Sequence, residues 1–169
     1  VFVGPCAAKK LEASRKSVRS EVDFVLTFEE IGAMFEAKCF DFASLKPDEA
    51  DPFTQASSDG RGFAVSGGVA KAVVNCIKAK EPEREVLVES AEGLANCKKM
   101  LKLAKSGKYD GYLLEGMACP GGCVAGAGTL LPITRATTAV KKYTNSSDKL
   151  NANDSKYKDY LERLIEEYK

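Results

Sequence analysis

The chain has 169 residues, 44% hydrophobic and 29% charged, with a formal net charge of +1. That suffices for one domain around one substantial core, and it offers no broad basic field for nucleic acid and no apolar run near the ~18 residues that cross a bilayer. Histidine is absent, which removes Ser-His-Asp and Cys-His nucleophilic machinery, imidazole zinc sites and histidine acid–base catalysis, so chemistry rests on cysteine, lysine, carboxylates or a cofactor.

In chain order the pattern alternates strand and helix. Residues 1–4 ("VFVG") and 22–26 ("VDFVL") are short apolar runs rich in β-branched residues. "TFEEIGAMFEAK" opens with a Thr27–Glu30 capping box and continues with helical spacing through Ile31, Met34 and Phe35. Residues 41–65 carry Pro47, Pro52, Gly60 and Gly62 among small polar and acidic residues, a long loop on this reading. "GGVAKAVVNCIKA" is a second helix. "EVLVESA" is a strand leading to the helix "EGLANCKKMLKLAKSG", with Gly107 as its stop and its lysines on a solvated face. "YDGYLLEG" is a last strand running into the glycine-rich loop 116–128. Residues 144–155 are a polar linker, and 156–169 place Tyr157, Tyr160, Leu161, Leu164, Ile165 and Tyr168 on one face of an amphipathic helix suited to docking. The predicted fold is α/β, a mostly parallel sheet flanked by helices with a C-terminal helical tail, divided as 1–143, linker 144–155 and tail 156–169. Ligands in such folds gather at the carboxyl ends of the strands.

There are six cysteines. Cys39, Cys76 and Cys97 fall in or beside amphipathic helices and read as small buried hydrophobes. Cys119 and Cys123 differ, because they leave a strand in a C-x3-C spacing flanked by glycines, a backbone able to approach an inorganic cofactor closely. The first strand ends in a third thiol at Gly4-Pro5-Cys6, with Lys9 one helical turn beyond, where it can neutralise an anionic cluster. Three strand-end thiolates and a lysine favour an iron–sulfur site over zinc, which wants a fourth cysteine or a histidine.

"GPCAAKKLEASR", "VDFVLTFEEIGAMFEA", "GRGFAVSGGVAKAV" and "LEGMACPGGCVAGAG" resemble, in this order and across about residues 1–135, the successive signatures of the carboxyl-terminal catalytic region of iron-only hydrogenases. The form E-x-M-x-C-x-x-G-C, in Glu115, Met117, Cys119, Gly122 and Cys123, is far more specific than C-x3-C. The resemblance implies an H-cluster: a 4Fe-4S cubane joined through one cysteine sulfur to a di-iron unit bearing CO, cyanide and a dithiolate. It assigns Cys6 and Cys119 to the cubane, Cys123 to the bridge, Lys9 to a hydrogen bond with a cyanide, and Met117 to packing near the diatomic ligands. Glu12 and Glu115 are assigned to motif architecture or to contacts around the ligands. The implied partners are an electron carrier such as ferredoxin, H₂ and protons, with no nucleic acid and no membrane; the expected compartment is cytoplasmic.

Three departures from the family pattern matter. Its first cysteine motif, which supplies the fourth cubane ligand, would lie before Val1, and "VFVGPC" reads as the inside of a buried strand, so the sequence is expected to be part of a longer protein. Gly4 stands where the most active members have methionine, and "CVAGAG" is less uniform than the usual glycine run. The function implied is the reversible reaction 2H⁺ + 2e⁻ ⇌ H₂; the alternatives are a hydrogen or redox sensor using the same cluster, and a non-catalytic iron–sulfur scaffold.

Overall fold

The structure, a computed structural model, describes residues 1–15, 17, 21–46 and 55–167, less the side chains of Leu161, Glu162 and Ile165. The order of elements is β1 (Phe2–Val3), α1 (Ala8–Ser14), β2 (Val25–Leu26), α2 (Phe28–Ala37), α3 (Ser58–Arg61), α4 (Gly68–Lys80), β3 (Val88–Glu92), α5 (Leu94–Lys105), β4 (Leu113–Met117), α6 (Ile133–Asn145) and α7 (Lys158–Glu167). All strand pairing among the described residues is parallel, as the βα alternation requires. It is divided into two two-stranded sheets. Phe2 lies opposite Val25 in the first, and Val88 to Glu92 run opposite Leu113 to Met117 in the second. Both cysteine-bearing segments therefore leave a parallel pair at its carboxyl end.

Local chemistry sets the helix boundaries. Thr27 and Glu30 form the expected capping box of α2. Lys10 then binds α1 to the two elements beyond it, donating to the Val25 carbonyl at 3.0 Å and to the Glu30 carboxylate at 2.7 and 2.9 Å. The lysine bond, followed by the Thr27 N–H, draws the Glu30 carboxyl down to about 2. Helix α5 stops as expected, with Gly107 at φ +85° and the Lys108 N–H returning to the Leu103 carbonyl at 3.1 Å.

The structure departs from the sequence reading in several places. Helix α6 has no counterpart in it: the threonines hide the helical pattern, although Thr138 Oγ1 simply bonds back to the Thr134 carbonyl at 2.9 Å. The loop expected over 41–65 contains α3 and a 3-10 turn at Gly62–Ala64; Pro47 and Pro52 lie outside the described residues. Asp59 of α3 is buried and takes both its oxygens to Asn75 Nδ2 at 2.9 Å. The polar stretch after α6 lies along the same place, since Lys149 and Leu150 carbonyls accept the Ser58 and Asp59 N–H groups at 2.7 and 2.9 Å. In the tail, Tyr157 and Tyr160 are exposed; Tyr168 and the side chains of Leu161 and Ile165 lie outside the described residues.

The substantial core expected from composition is thin. Only Val25, Ala70, Ala72, Met100 and Val124 are buried hydrophobics among the described residues. The accessible surface is 12597 Å², where a compact monomer of this mass would show roughly 8100 Å². Met34, placed by spacing on the inner face of α2, is exposed, as are Phe28, Leu130, Leu131 and Leu94.

Candidate functional site

The site is built where the Pro5–Cys6 turn meets the loop that follows β4. The Gly128 N–H donates to the Pro5 carbonyl at 2.9 Å, which brings the end of the glycine loop against the residue before Cys6. Cys6 and Cys119 are half-buried and Cys123 is exposed. The Cys6 and Cys119 sulfurs and the Lys9 ammonium all act on the Cys123 thiol. Partial desolvation pushes that thiol up from its ordinary value, Cys6 and Cys119 push it further, and Lys9 opposes them. The three thiols singled out from the sequence thus stand in one region with Lys9, whose Nζ is also bonded to Glu12 at 2.6 Å. Successive helix positions turn about 100°, so Lys9 serves this region while Lys10 reaches Glu30.

Met117 ends β4 and shares a cleft of about 250 Å³ with Val69, Ala70 and Val73 of α4. Its carbonyl accepts the Gly93 N–H at 2.8 Å, closing the end of the sheet just before the cysteine loop. The other cysteines stand apart. Cys97 Sγ donates to the Ala91 and Met117 carbonyls at 3.4 and 3.6 Å beneath β4, and Cys76 lines an apolar cavity of about 380 Å³ beside α3. Cys39, expected to be a small buried hydrophobe, is exposed at φ +53° beyond the end of α2.

Several of these glycines are required by the close approach of other parts of the chain. A Cβ on Gly122, at φ +95°, would come within 2.5 Å of the Ser66 nitrogen and 2.8 Å of the Ala64 carbonyl oxygen; one on Gly126 would strike the Pro5 carbonyl; one on Gly128 would meet the Thr27 side chain at 2.8 Å. The loop is folded tightly on two other backbone segments, and that contact is what carries Cys119 and Cys123 toward Cys6.

Two carboxylates complete the support. Glu115 on β4 is buried and accepts the N–H groups of Gly67 and Ala70, at 2.6 and 3.0 Å, at the start of α4. This satisfies two orphan donors at the positive end of the helix. Glu92, the last residue of β3, accepts the Gly121 N–H at 2.9 Å and a hydrogen bond from the Ser66 side chain; the Ser66 bond first and the Gly121 bond second hold its carboxyl below the ordinary value. The Ser66 N–H in turn donates to the Gly121 carbonyl at 3.1 Å. Sequence reasoning misses Glu92 and Ser66 as part of the site. An acidic residue closing a strand immediately before a glycine is the available signal, but the same residue also reads as the first of the following helix.

The donor set suits an iron–sulfur group. Thiolate sulfur is the usual ligand of such clusters; a cationic iron core would favour the thiolate form of these cysteines, with Lys9 adding counter-charge. Among the described residues no three Cys, Asp or Glu side chains close on a point so as to hold a single ion. None of their helices is long and apolar enough to cross a membrane.

Comparison with known proteins agrees with the motif order. Residues 1–127 match the family model described as the iron-only hydrogenase large subunit, C-terminal domain. The chain is 30% identical over 159 residues to the NADP-reducing hydrogenase subunit HndD of Solidesulfovibrio fructosivorans, covering 76% of this chain and 27% of that protein. It is 28% identical over 173 residues to a probable cytosolic Fe-S cluster assembly factor of Drosophila grimshawi, covering 79% of this chain and 36% of that one. In fold it resembles a solved FeFe-hydrogenase from Chlamydomonas reinhardtii, with a TM-score of 0.62 at 20% identity, over 98% of this chain and 57% of that one. The chain therefore spans about a third of the length of these curated relatives. A family model covering three quarters of the sequence, with its cysteine motifs brought together in space, shows that the chain belongs to the family formed by the carboxyl-terminal domains of iron-only hydrogenase large subunits.

Proposed function

We propose that the chain is the part of an iron-only hydrogenase that supplies cysteine ligands to an H-cluster for the reversible reaction 2H⁺ + 2e⁻ ⇌ H₂. The observation that carries this reading is the gathering of Cys6, Cys119 and Cys123 with Lys9, from motifs more than a hundred residues apart, within the part of the chain that matches the family. When bound, the cluster supplies the open iron position at which hydrogen is split or formed and a cubane that passes electrons. Of this chain's residues, Cys6 and Cys119 would hold the cubane and Cys123 would join it to the di-iron unit. Lys9, steadied by Glu12, would offer an ammonium to a cyanide, and Met117 would pack beside the diatomic ligands; Glu115 and Gly122 fix the backbone that presents the cysteines. The excess of exposed apolar surface around Phe28, Leu130 and Leu131 supports a further polypeptide segment covering this face and bringing the fourth cubane ligand.

The likeness to a cluster assembly factor favours a second reading, a scaffold that binds a cubane without the di-iron unit. Gly4, the departure that favours a sensor, has the Phe2 ring lying over the space a side chain would take. Infrared spectra of the full-length protein after maturation with a di-iron precursor decide between them. CO and cyanide bands that vanish in Cys123→Ser, with an unchanged circular dichroism spectrum, are expected. A wild-type protein that takes up iron and shows no such bands leaves the scaffold reading. Bands without turnover in a hydrogen assay leave the sensor.

A further inference from the structure

Between the two clustered cysteines the chain makes one contact with a charged side chain that none of the family motifs specifies. The Gly121 N–H points to Glu92 Oε2 at 2.9 Å, across 29 residues of sequence. The Ser66 N–H bonds the Gly121 carbonyl at 3.1 Å. Gly121 is therefore held from both sides by two hydrogen bonds, one to Glu92 and one to Ser66. Both peptide groups of Gly121 are used, the donor by Glu92 and the acceptor by Ser66. Gly121 and Gly122 are at φ +91° and +95°, so the loop between Cys119 and Cys123 is held in a conformation open to few residues, and these two bonds hold it there. Glu92 is itself fixed, as the last residue of β3 opposite Met117.

We propose that Glu92 is a positioning residue for the cysteine loop, holding the main chain between Cys119 and Cys123 through the Gly121 N–H. Its chemistry adds a second consequence, which rests on the cluster reading above. A carboxylate here engages an N–H that a glycine loop otherwise leaves free for cluster sulfide, and it places a negative charge beside the ligands. Both effects disfavour the reduced, more negative cluster, and hydrogen bonding and local charge are the levers by which proteins set cluster potentials.

The test compares Glu92→Ala, Glu92→Gln and the control Glu89→Ala on the same strand, in the full-length protein. Hydrogen exchange is read first, without cluster. In Glu92→Ala, exchange across 119–123 rises by about tenfold or more, as expected for loss of bonds to a charged acceptor, while the β3–β4 amides keep their protection. In Glu92→Gln, whose amide oxygen still accepts the bond, the loop exchanges at the wild-type rate. Unchanged exchange in Glu92→Ala, or equal loss in Glu89→Ala, overturns the positioning role; exchange rising over the whole sheet reports unfolding and also overturns a local role. The reduction potential of the reconstituted cluster is read second. It rises from wild type to Glu92→Gln to Glu92→Ala. Identical potentials in wild type and Glu92→Gln overturn the charge effect while the exchange result stands, and failure of all the proteins to take up a cluster overturns the cluster reading alone.

Discussion

Replacing Gly122 by alanine tests directly whether backbone packing, and not space for a cofactor, makes glycine necessary between the two cysteines. Gly122 sits at φ +95° and ψ −162°, a region nearly closed to residues with a Cβ and costing about 1–3 kcal/mol on conformation alone. The new methyl would also lie 2.5 Å from the Ser66 nitrogen, 2.8 Å from the Ala64 oxygen and 2.9 Å from the Val65 carbonyl carbon. All three are main-chain atoms, so relief means moving the 64–66 turn, for about 1–3 kcal/mol more. The sum, about 2–6 kcal/mol, lowers the melting temperature by roughly 5–20 °C in a protein of this size. Two other glycines calibrate the result. Gly67→Ala has φ +83° but open space around it, and costs about 1–2 kcal/mol. Gly32→Ala, inside α2 with nothing near, gains about 1 kcal/mol. Thermal and urea melts of the apo protein measure all three, and because no metal is present the cofactor cannot contribute. Gly122→Ala melting no lower than Gly67→Ala refutes the reasoning.

Glu115→Ala strands the Gly67 and Ala70 N–H groups at the start of α4 and costs about 2–4 kcal/mol in urea unfolding, with Glu115→Gln recovering part; equal loss in both variants points to the charge alone. Glu30 gives a pH signature. Its folded carboxyl is drawn from 4.5 to about 2, so its contribution is fully present above pH 4.5 and is lost as the pH falls from there toward 2. A wild-type stability profile with the same slope as Glu30→Gln in that window would exclude it. Gly4→Met meets the Phe2 ring, 2.7 Å from the added Cβ; a cost of about 1–3 kcal/mol is expected that shrinks when Phe2 is also replaced by alanine, and additive effects in that double-mutant cycle would show that the ring does not occupy the space.

What was legible in the sequence is what side chains announce. The Thr27–Glu30 capping box, the Gly107 stop, the βα alternation and the three thiols at strand ends follow from residue type and spacing, and each is found in the fold. Helix α6 was hidden because threonine propensity argues against helix, and its contacts with α3 override that propensity. The thin core was invisible for another reason: periodicity marks an apolar face without saying what covers it, and Met34, Phe28 and Leu130 are apolar yet exposed.

The positive φ expected where the loop turns is found at Gly121 and Gly122, but what closes on the other loop glycines was not legible, and the reason is physical. A glycine records that a Cβ is unwelcome but not which atoms would exclude it. In the loop after β4 those atoms belong to Pro5, Thr27 and the 64–66 turn, segments separated from the loop by roughly 55 to 125 positions. The glycines therefore act as long-range contacts, joining the first strand, the turn before α4 and the last strand, and the Gly128 to Pro5 hydrogen bond brings the end of the loop against the residue before Cys6. Partial desolvation first, and the neighbouring Cys6 and Cys119 second, push the Cys123 thiol up, while Lys9 opposes them. On the proposed cluster reading, a cationic core would draw these neutral thiols into the thiolate form with release of protons, so cluster uptake would be linked both to pH and to the stability of the folded arrangement.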